Sequence, residues 1–364
     1  MDALKGLNSA GIGMLTCVIA LALAGLVTAV SAAPPGEAWM AMARQCLFLG
    51  LAIAGFLCAF SLEVETTRKY VLPAIIALFC FLWVMLTTSI GHTANSATRW
   101  VQLGPITLQP SILFQCLWPV ALASWVARDP LRIRDWRQIM KLGVLFLIMM
   151  LPVLLQPDLG SVMILIFVSG VTFLFAGTPM KFLIVLLPAV ILIVFVAALA
   201  FPHVAARLNY LSEPSMQVQR GEEAFAVGGM TGVGPGNGLL HQGYIPEAET
   251  DFILSVVGEQ WGMFGTLGIW FLFLAFTLFG FRAARKSDSR YGIILMASAT
   301  VMISFQAAYN MAMVTGLVPV KGLPLPFVSR GGSSILALSA LLGVALKAVH
   351  EGRRRPTPVT DLFS

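Results

Sequence analysis

Residues 243–262 read GYIPEAETDFILSVVGEQWG. Three acids, Glu247, Glu249 and Asp251, stand at the entrance of a long apolar run, and a fourth, Glu259, lies inside it. Apolar runs of about 20 residues can cross the hydrocarbon core of a bilayer as helices. An ionisable group within such a run costs a few kcal/mol and marks a functional position by default. The alternative for Glu259 is a structural acid hydrogen-bonded to a neighbouring helix. On one continuous helix, eight residues turn about 80° beyond two full circles. Glu259 would then be displaced around the axis from Asp251.

The same pattern extends in both directions. The chain of 364 residues is 58% hydrophobic and 11% charged, against about 25% charged in a soluble globular domain. Ten runs are long and apolar enough to span, at roughly 11–31, 44–62, 70–90, 109–127, 139–157, 159–178, 180–200, 251–281, 290–315 and 331–350. Alternating strands of about 10 residues, as in an outer-membrane barrel, are not the pattern. The reading is an all-α integral membrane protein, a bundle of ten transmembrane helices in one polytopic domain covering 1–364.

Charge sets the orientation. With both termini cytoplasmic, inside segments hold seventeen of the 23 Lys and Arg residues. Six fall outside: Arg44, Arg99, Arg207, Arg220, Lys321 and Arg330. That distribution follows the positive-inside rule. The basic runs RAARK (282–286) and RRR (353–355) then serve as topology and headgroup anchors for membrane lipids, and no nucleic-acid partner is indicated. SAAPP (31–35) resembles the end of a secretory signal, but the apolar stretch before it is long and its leading charge is one Lys against one Asp, so it is read as a span. Five cysteines (17, 46, 58, 80 and 116) fall in spans without a CxxC pair, which suits packing better than a disulfide or metal site.

The outside connections are dense in Gly, Pro and polar residues. The largest is an extracytoplasmic loop at about 201–250, far beyond usual loop length. It contains GGMTGVGPGNG (228–238). Others are HTANSATRWVQLGPITLQPS (92–111), QPDLG (156–160) and TGLVPVKGLPLPFVSRGGSS (315–334). Glycine clusters allow close backbone approach and anion-binding nests, or simply punctuate turns. GVGPGNG lacks the Lys-Ser/Thr of a nucleotide-binding loop.

Taken in order, RWVQLG, LQPS, QPDLGS, GVGPGNG, IPEAETDFI, GEQWGMFG and GLVPVKGLPLPFVSRGGSS resemble the SEDS family, the RodA and FtsW proteins of bacterial elongation and division. The resemblance covers most of the chain. It implies a ten-helix bundle in the bacterial plasma (inner) membrane. It also implies peptidoglycan glycosyltransferase activity on lipid II, with inversion at the sugar, beside a class B penicillin-binding protein.

Such chemistry needs a base for the acceptor hydroxyl, a stabilised leaving pyrophosphate, and lipid tails held in the bilayer. By the resemblance Asp251 is the essential general base; read alone, Thr250 and Asp251 could equally begin a helix as caps. Arg99, Lys321 and Arg330 are cations for the pyrophosphate or headgroup anchors. Trp100 is an interface aromatic or, by the resemblance, part of the lipid II site. Asp158 serves a turn or contacts substrate or cation. Glu247 and Glu249 read as rim contacts, and Gln109 of LQPS and Ser329 of VSRGGSS as further substrate contacts. No cofactor is specified, although pyrophosphate chemistry leaves room for Mg²⁺ or Mn²⁺.

The chain departs from the family pattern at several points. Ile112 and Gln115 replace a Glu and a Lys that would face each other on a helix; losing both charges together can be neutral where losing one is not. Glu249 replaces a His, His241 a Lys and Arg330 a Tyr. A second acid beside Asp251 would raise one carboxylate's pKa, and Arg330 could return positive charge to the site. Two competing readings follow: a catalytically weak scaffold for a class B penicillin-binding protein, and a lipid II flippase, which broken helices would favour.

Overall fold

The computed structural model describes residues 8–34, 36–88, 92–94, 97–103, 106–156, 158–182, 184–185, 188, 216–238 and 248–354. Among them, nine helices are long and apolar enough to cross a membrane. These are α1 (Ser9–Ser31), α2 (Ala38–Ser61), α3 (Val64–Thr87), α4 (Pro110–Arg128), α5 (Trp136–Leu155), α6 (Leu159–Ala176), α8 (Ile253–Arg285), α9 (Arg290–Val314) and α10 (Gly332–Arg354). The expected span at 180–200 lies, apart from a few residues at its start, outside the described residues. A further helix, α7 (Met216–Gly228), belongs to the long outside loop. The segment at 92–108, expected as a connection, forms a small antiparallel meander of β1 (His92–Ala94), β2 (Ala97–Leu103) and β3 (Ile106–Leu108). Trp100 sits on β2 opposite His92.

The bundle is built around three helices. The apolar stretches of α4, α9 and α10 are 72% buried, against 22% for α2, α3 and α8. Helix α9 packs against α4, α6, α8 and α10, while α2 lies along α10. Hydroxyls join the helices inside the bilayer: Trp118 Nε1 donates to Ser169 Oγ at 2.8 Å, and Thr172 and Ser298 hydroxyls pair at 2.8 Å. Such interhelical bonds contribute about 1 kcal/mol each in lipid.

Charged and polar contacts tie the helices at both ends of the bundle. At one end, Glu351 of α10 accepts from the Val64 amide at the start of α3, Arg290 donates to the Ala176 carbonyl at the end of α6, and Arg68 stacks over Tyr291. At the other end, α1 reaches Gln260 through Ser31, and the segment after α9 meets the turn before α8 through the Arg330 amide and the Glu249 carbonyl. Of the acids singled out in the sequence, Glu249, Asp251 and Glu259 are at this second end.

One expectation is corrected. The run from 251 is not one continuous helix. It begins at Ile253 and breaks at Gly262, where φ is 64°. The angular relation expected between Asp251 and Glu259 therefore does not apply. The groups freed by the break are bound by the GGMTGVG loop after α7. Val233 and Gly234 amides donate to the Glu259 and Gln260 carbonyls (both 3.0 Å), and Met263 and Phe264 amides donate to the Gly229 and Met230 carbonyls at 2.9 and 3.3 Å. A Cβ at 262 would lie 2.5 Å from the Gly232 nitrogen and 2.6 Å from the Met230 carbonyl. Gly262→Ala therefore combines a disfavoured backbone with a clash. We expect it to lower the apparent melting temperature in detergent by several degrees. Gly268→Ala, whose Cβ meets nothing within 4 Å on the same helix, should leave it level or raised.

Candidate functional site

Asp251 lies in a turn at 248–252, half-buried, just before α8. The N-cap position of α8 falls on Phe252, not on Thr250 or Asp251. What fixes the turn comes from elsewhere in the chain. Asn310, fully buried on α9, donates from one amide nitrogen to the Asp251 carbonyl (2.8 Å) and to the Leu323 carbonyl (2.7 Å). Two non-helical segments are thus joined by one side chain. Gln306 donates to the Pro324 carbonyl at 2.9 Å and Tyr309 to the Pro319 carbonyl at 3.0 Å. Residues 306, 309 and 310 share one face of α9, and together they hang the 315–331 segment on it.

That segment brings Gly322 against the acid. A Cβ at 322 would lie 3.2 Å from Asp251 Oδ2. Lys321, adjacent in sequence, is 8% exposed and its Nζ reaches Met163 Sδ on α6 at 3.5 Å. Leu323 packs against Gly160 in the first turn of α6. Farther along, Ser329 is 1% exposed and its Oγ accepts the Leu325 amide at 2.7 Å. It closes a turn, so its side chain is committed to the protein. Phe327 within that turn has φ 64°, an outlier for a bulky residue, and its buried ring packs against Phe276.

Arg330 is ion-paired with Glu249, and its own amide donates to the Glu249 carbonyl at 2.9 Å. The expectation that Arg330 adds positive charge to the site is tempered accordingly: its partner carries the opposite charge. Both sequence departures at the acid turn are in contact with each other.

Asp158 is a second, separate node. It caps α6 and is 5% exposed. Its Oδ2 accepts from Gln109 Nε2 (3.0 Å), Ser111 Oγ (2.8 Å) and Ser161 Oγ (2.5 Å), and Oδ1 accepts the Ser161 amide at 3.2 Å. Gln109 and Asp158 are brought together here, tying the starts of α4 and α6. Glu259 is 1% exposed in the last turn before the break in α8. Trp100 is half-buried on the small sheet. The side chain of Arg99, and Glu247 and His241 altogether, lie outside the described residues. Ile112 packs against the core and Gln115 is buried, so α4 has no charge at either position to compensate.

The sequence reading missed Gln306, Tyr309 and Asn310. Their signal was present: a polar stripe at i, i+3 and i+4 within an apolar span, which is costly unless each group has a partner. Among the described residues no group of three or more His, Cys, Asp or Glu side chains is placed to hold a metal ion. An apolar crevice of about 430 Å³ opens between α3, α4 and α10, lined by Phe81, Leu113, Leu117, Val120, Leu341 and Val344 among others.

The comparisons with known proteins agree with this architecture. The model of the FtsW, RodA and SpoVE family, described as cell cycle proteins, matches residues 10–354. The chain is 31% identical over 329 residues to a probable peptidoglycan glycosyltransferase FtsW of Saccharophagus degradans, covering 87% of this chain and 85% of that protein. It is similar, at a TM-score of 0.79 and 28% identity, to a chain in a structure of a peptidoglycan synthase complex concerned with coordination of polymerization and crosslinking, covering 94% of this chain and 98% of that one. It is also similar to the rod shape determining protein RodA of Thermus thermophilus, at a TM-score of 0.70 and 26% identity, covering 95% and 97%. A match over nearly the whole length, on a bundle whose motifs meet at one end, places the chain in the FtsW/RodA/SpoVE family of cell cycle proteins, the SEDS family that its motifs resemble.

Proposed function

We propose that this chain is a peptidoglycan glycosyltransferase of the bacterial inner membrane that polymerises lipid II into glycan strands, with Asp251 as general base. The observation that carries the reading is the placement of Asp251. The acid stands outside the helix, half-buried, with its backbone pinned by Asn310 and its carboxylate abutting Gly322. A base is effective when it is held in place and still accessible to substrate.

In the reaction, the acceptor sugar's hydroxyl oxygen bonds to the donor's anomeric carbon as its proton passes to the Asp251 carboxylate. The bond from that carbon to the pyrophosphate breaks, its electron pair leaving with the lipid-linked pyrophosphate, and the configuration inverts. Lys321, next to Gly322, supplies positive charge near the leaving group. The crevice between α3, α4 and α10 suits a polyprenyl tail, since it is apolar and lies among membrane spans. A magnesium ion is ordinarily held by one or two carboxylates with substrate phosphates; Asp251 and the pyrophosphate would form such a set, and the proton transfer does not require it. A class B penicillin-binding protein is the partner that would crosslink the strands.

The break in α8 is the feature that a flippase reading would claim. Its backbone groups, however, are closed by the loop at 229–234 and are not offered to a substrate. The scaffold reading is separated by one assay: polymerisation of labelled lipid II by the purified protein with its class B partner. Wild-type protein should form glycan strands, and Asp251→Asn should reduce the rate about 10²–10⁴-fold with the complex intact. No product from either would establish the scaffold instead. A second variant probes the approach at Gly322: Gly322→Ala places a methyl group against the carboxylate and should cut kcat about tenfold, because small displacements of a catalytic group are expensive. Unchanged turnover would show that the carboxylate does not work in the position seen.

A further inference from the structure

We propose that Glu249 and Arg330 form a latch that positions the Asp251 turn against the segment preceding α10. This rests on the assignment of Asp251 as the base, and it names positioning residues that are distinct from it. The two residues meet twice, through a guanidinium–carboxylate ion pair and through the Arg330 amide donating to the Glu249 carbonyl at 2.9 Å. Backbone and side chain therefore fix the same two segments, and the contact is only two residues from Asp251.

The pair is well placed to hold. The side chains are 22% and 31% exposed, so the attraction is less screened than that of a surface pair. Burial pushes the Arg330 pKa down, and the like charge of Arg44 on α2 adds to this, while Glu37 opposes it. A guanidinium in such surroundings gains from a carboxylate partner. On the other side of the segment, Ser329 and Phe327 lock the turn that presents Arg330. Asn310 holds the far end of the same interface, at Leu323. The Asp251 turn is thus fastened to the 315–331 segment at two points, one neutral and buried, one charged and near the surface.

Sequence adds an independent point. Residues 249 and 330 carry opposite charges and lie 81 positions apart in the chain. The structure makes them partners. Each alone would put an uncompensated charge beside the catalytic turn; together they neutralise one another.

The test is a double-mutant cycle in the lipid II polymerisation assay, using Glu249→Gln, Arg330→Gln and the double variant with the partner protein present. A latch predicts that each single change lowers kcat about five- to tenfold with KM for lipid II held within twofold. The double variant should be no worse than the poorer single one, because the interaction is already lost. Multiplying losses, a rise in KM with kcat unchanged, or no loss in the single variants would each overturn the proposal. A second readout does not depend on activity: hydrogen exchange of the whole protein in nanodiscs. Arg330→Gln should speed exchange in the peptide covering 248–254 and leave the rest of α8 and α9 as in wild type; equal protection would also refute the latch. Wild-type protein that makes no glycan would discard the polymerase reading, with the exchange experiment still deciding the latch.

Discussion

A buried amide or carbonyl needs a hydrogen-bond partner, so a buried, interrupted helix must be closed by protein. The break in α8 at Gly262 imposes that requirement on the rest of this end of the molecule. The loop that follows α7 answers it, bonding to the backbone on both sides of the break. This explains why so long an outside segment contains a run as rich in glycine as GGMTGVGPGNG. Another backbone lies close at Gly228 and Gly232, where a Cβ would stand 1.9 Å from the Gly258 carbonyl oxygen and 2.2 Å from that of Gln260. The first half of α8 is thereby held between α7 and the bundle, with Val218, Gly221, Ala224 and Gly228 on the inner face of α7.

The same constraint governs the segment between α9 and α10. It is irregular, yet much of it is buried, with Leu323, Leu325, Phe327 and Val328 in the core. Its carbonyls need donors. The polar stripe of α9 provides them, and Asn310 serves the Asp251 carbonyl with the same nitrogen. Leaving two such carbonyls without a donor would cost about 1–3 kcal/mol each. One residue therefore both satisfies this segment and places the Asp251 turn. The helix that carries it is among the most buried in the bundle, a rigid support for an acid that must keep its place.

Most of the architecture was legible in the sequence because hydropathy and charge report directly on solvent. Runs of apolar residues mark spans, and the nine described spans follow from that rule. The family was legible through motif order. The site was legible in part. Asp251 stood out through its motif, since read alone an acid at the start of a span serves equally as a helix cap. Asp158 also stood out, but pattern could not show that Gln109, Ser111 and Ser161 occupy its lone pairs. Ser329 stood out in the same way, and its hydroxyl likewise proves to be committed to the protein, closing a turn. The break in α8 and the small sheet escaped because both are set by tertiary partners. A glycine within an apolar run is consistent with an unbroken helix until a second backbone is seen to bind beside it.

The acids at this end of the chain thus answer to different causes. Glu249 is balanced by Arg330, and Asp158 by a ring of hydroxyl and amide donors. Glu259 sits just ahead of a helix break whose carbonyls are already claimed by the loop at 233–234. Asp251 differs from them in its setting. Its backbone is immobilised from α9, its carboxylate faces the bare α-carbon of Gly322, and it stands in a turn outside the helix. A glycine at 322 and a buried amide at 310 cost the fold something in backbone entropy and desolvation. That cost is understandable if the gain is an acid held in place at this end of the bundle, half-buried and two residues from the ion pair that fastens its turn.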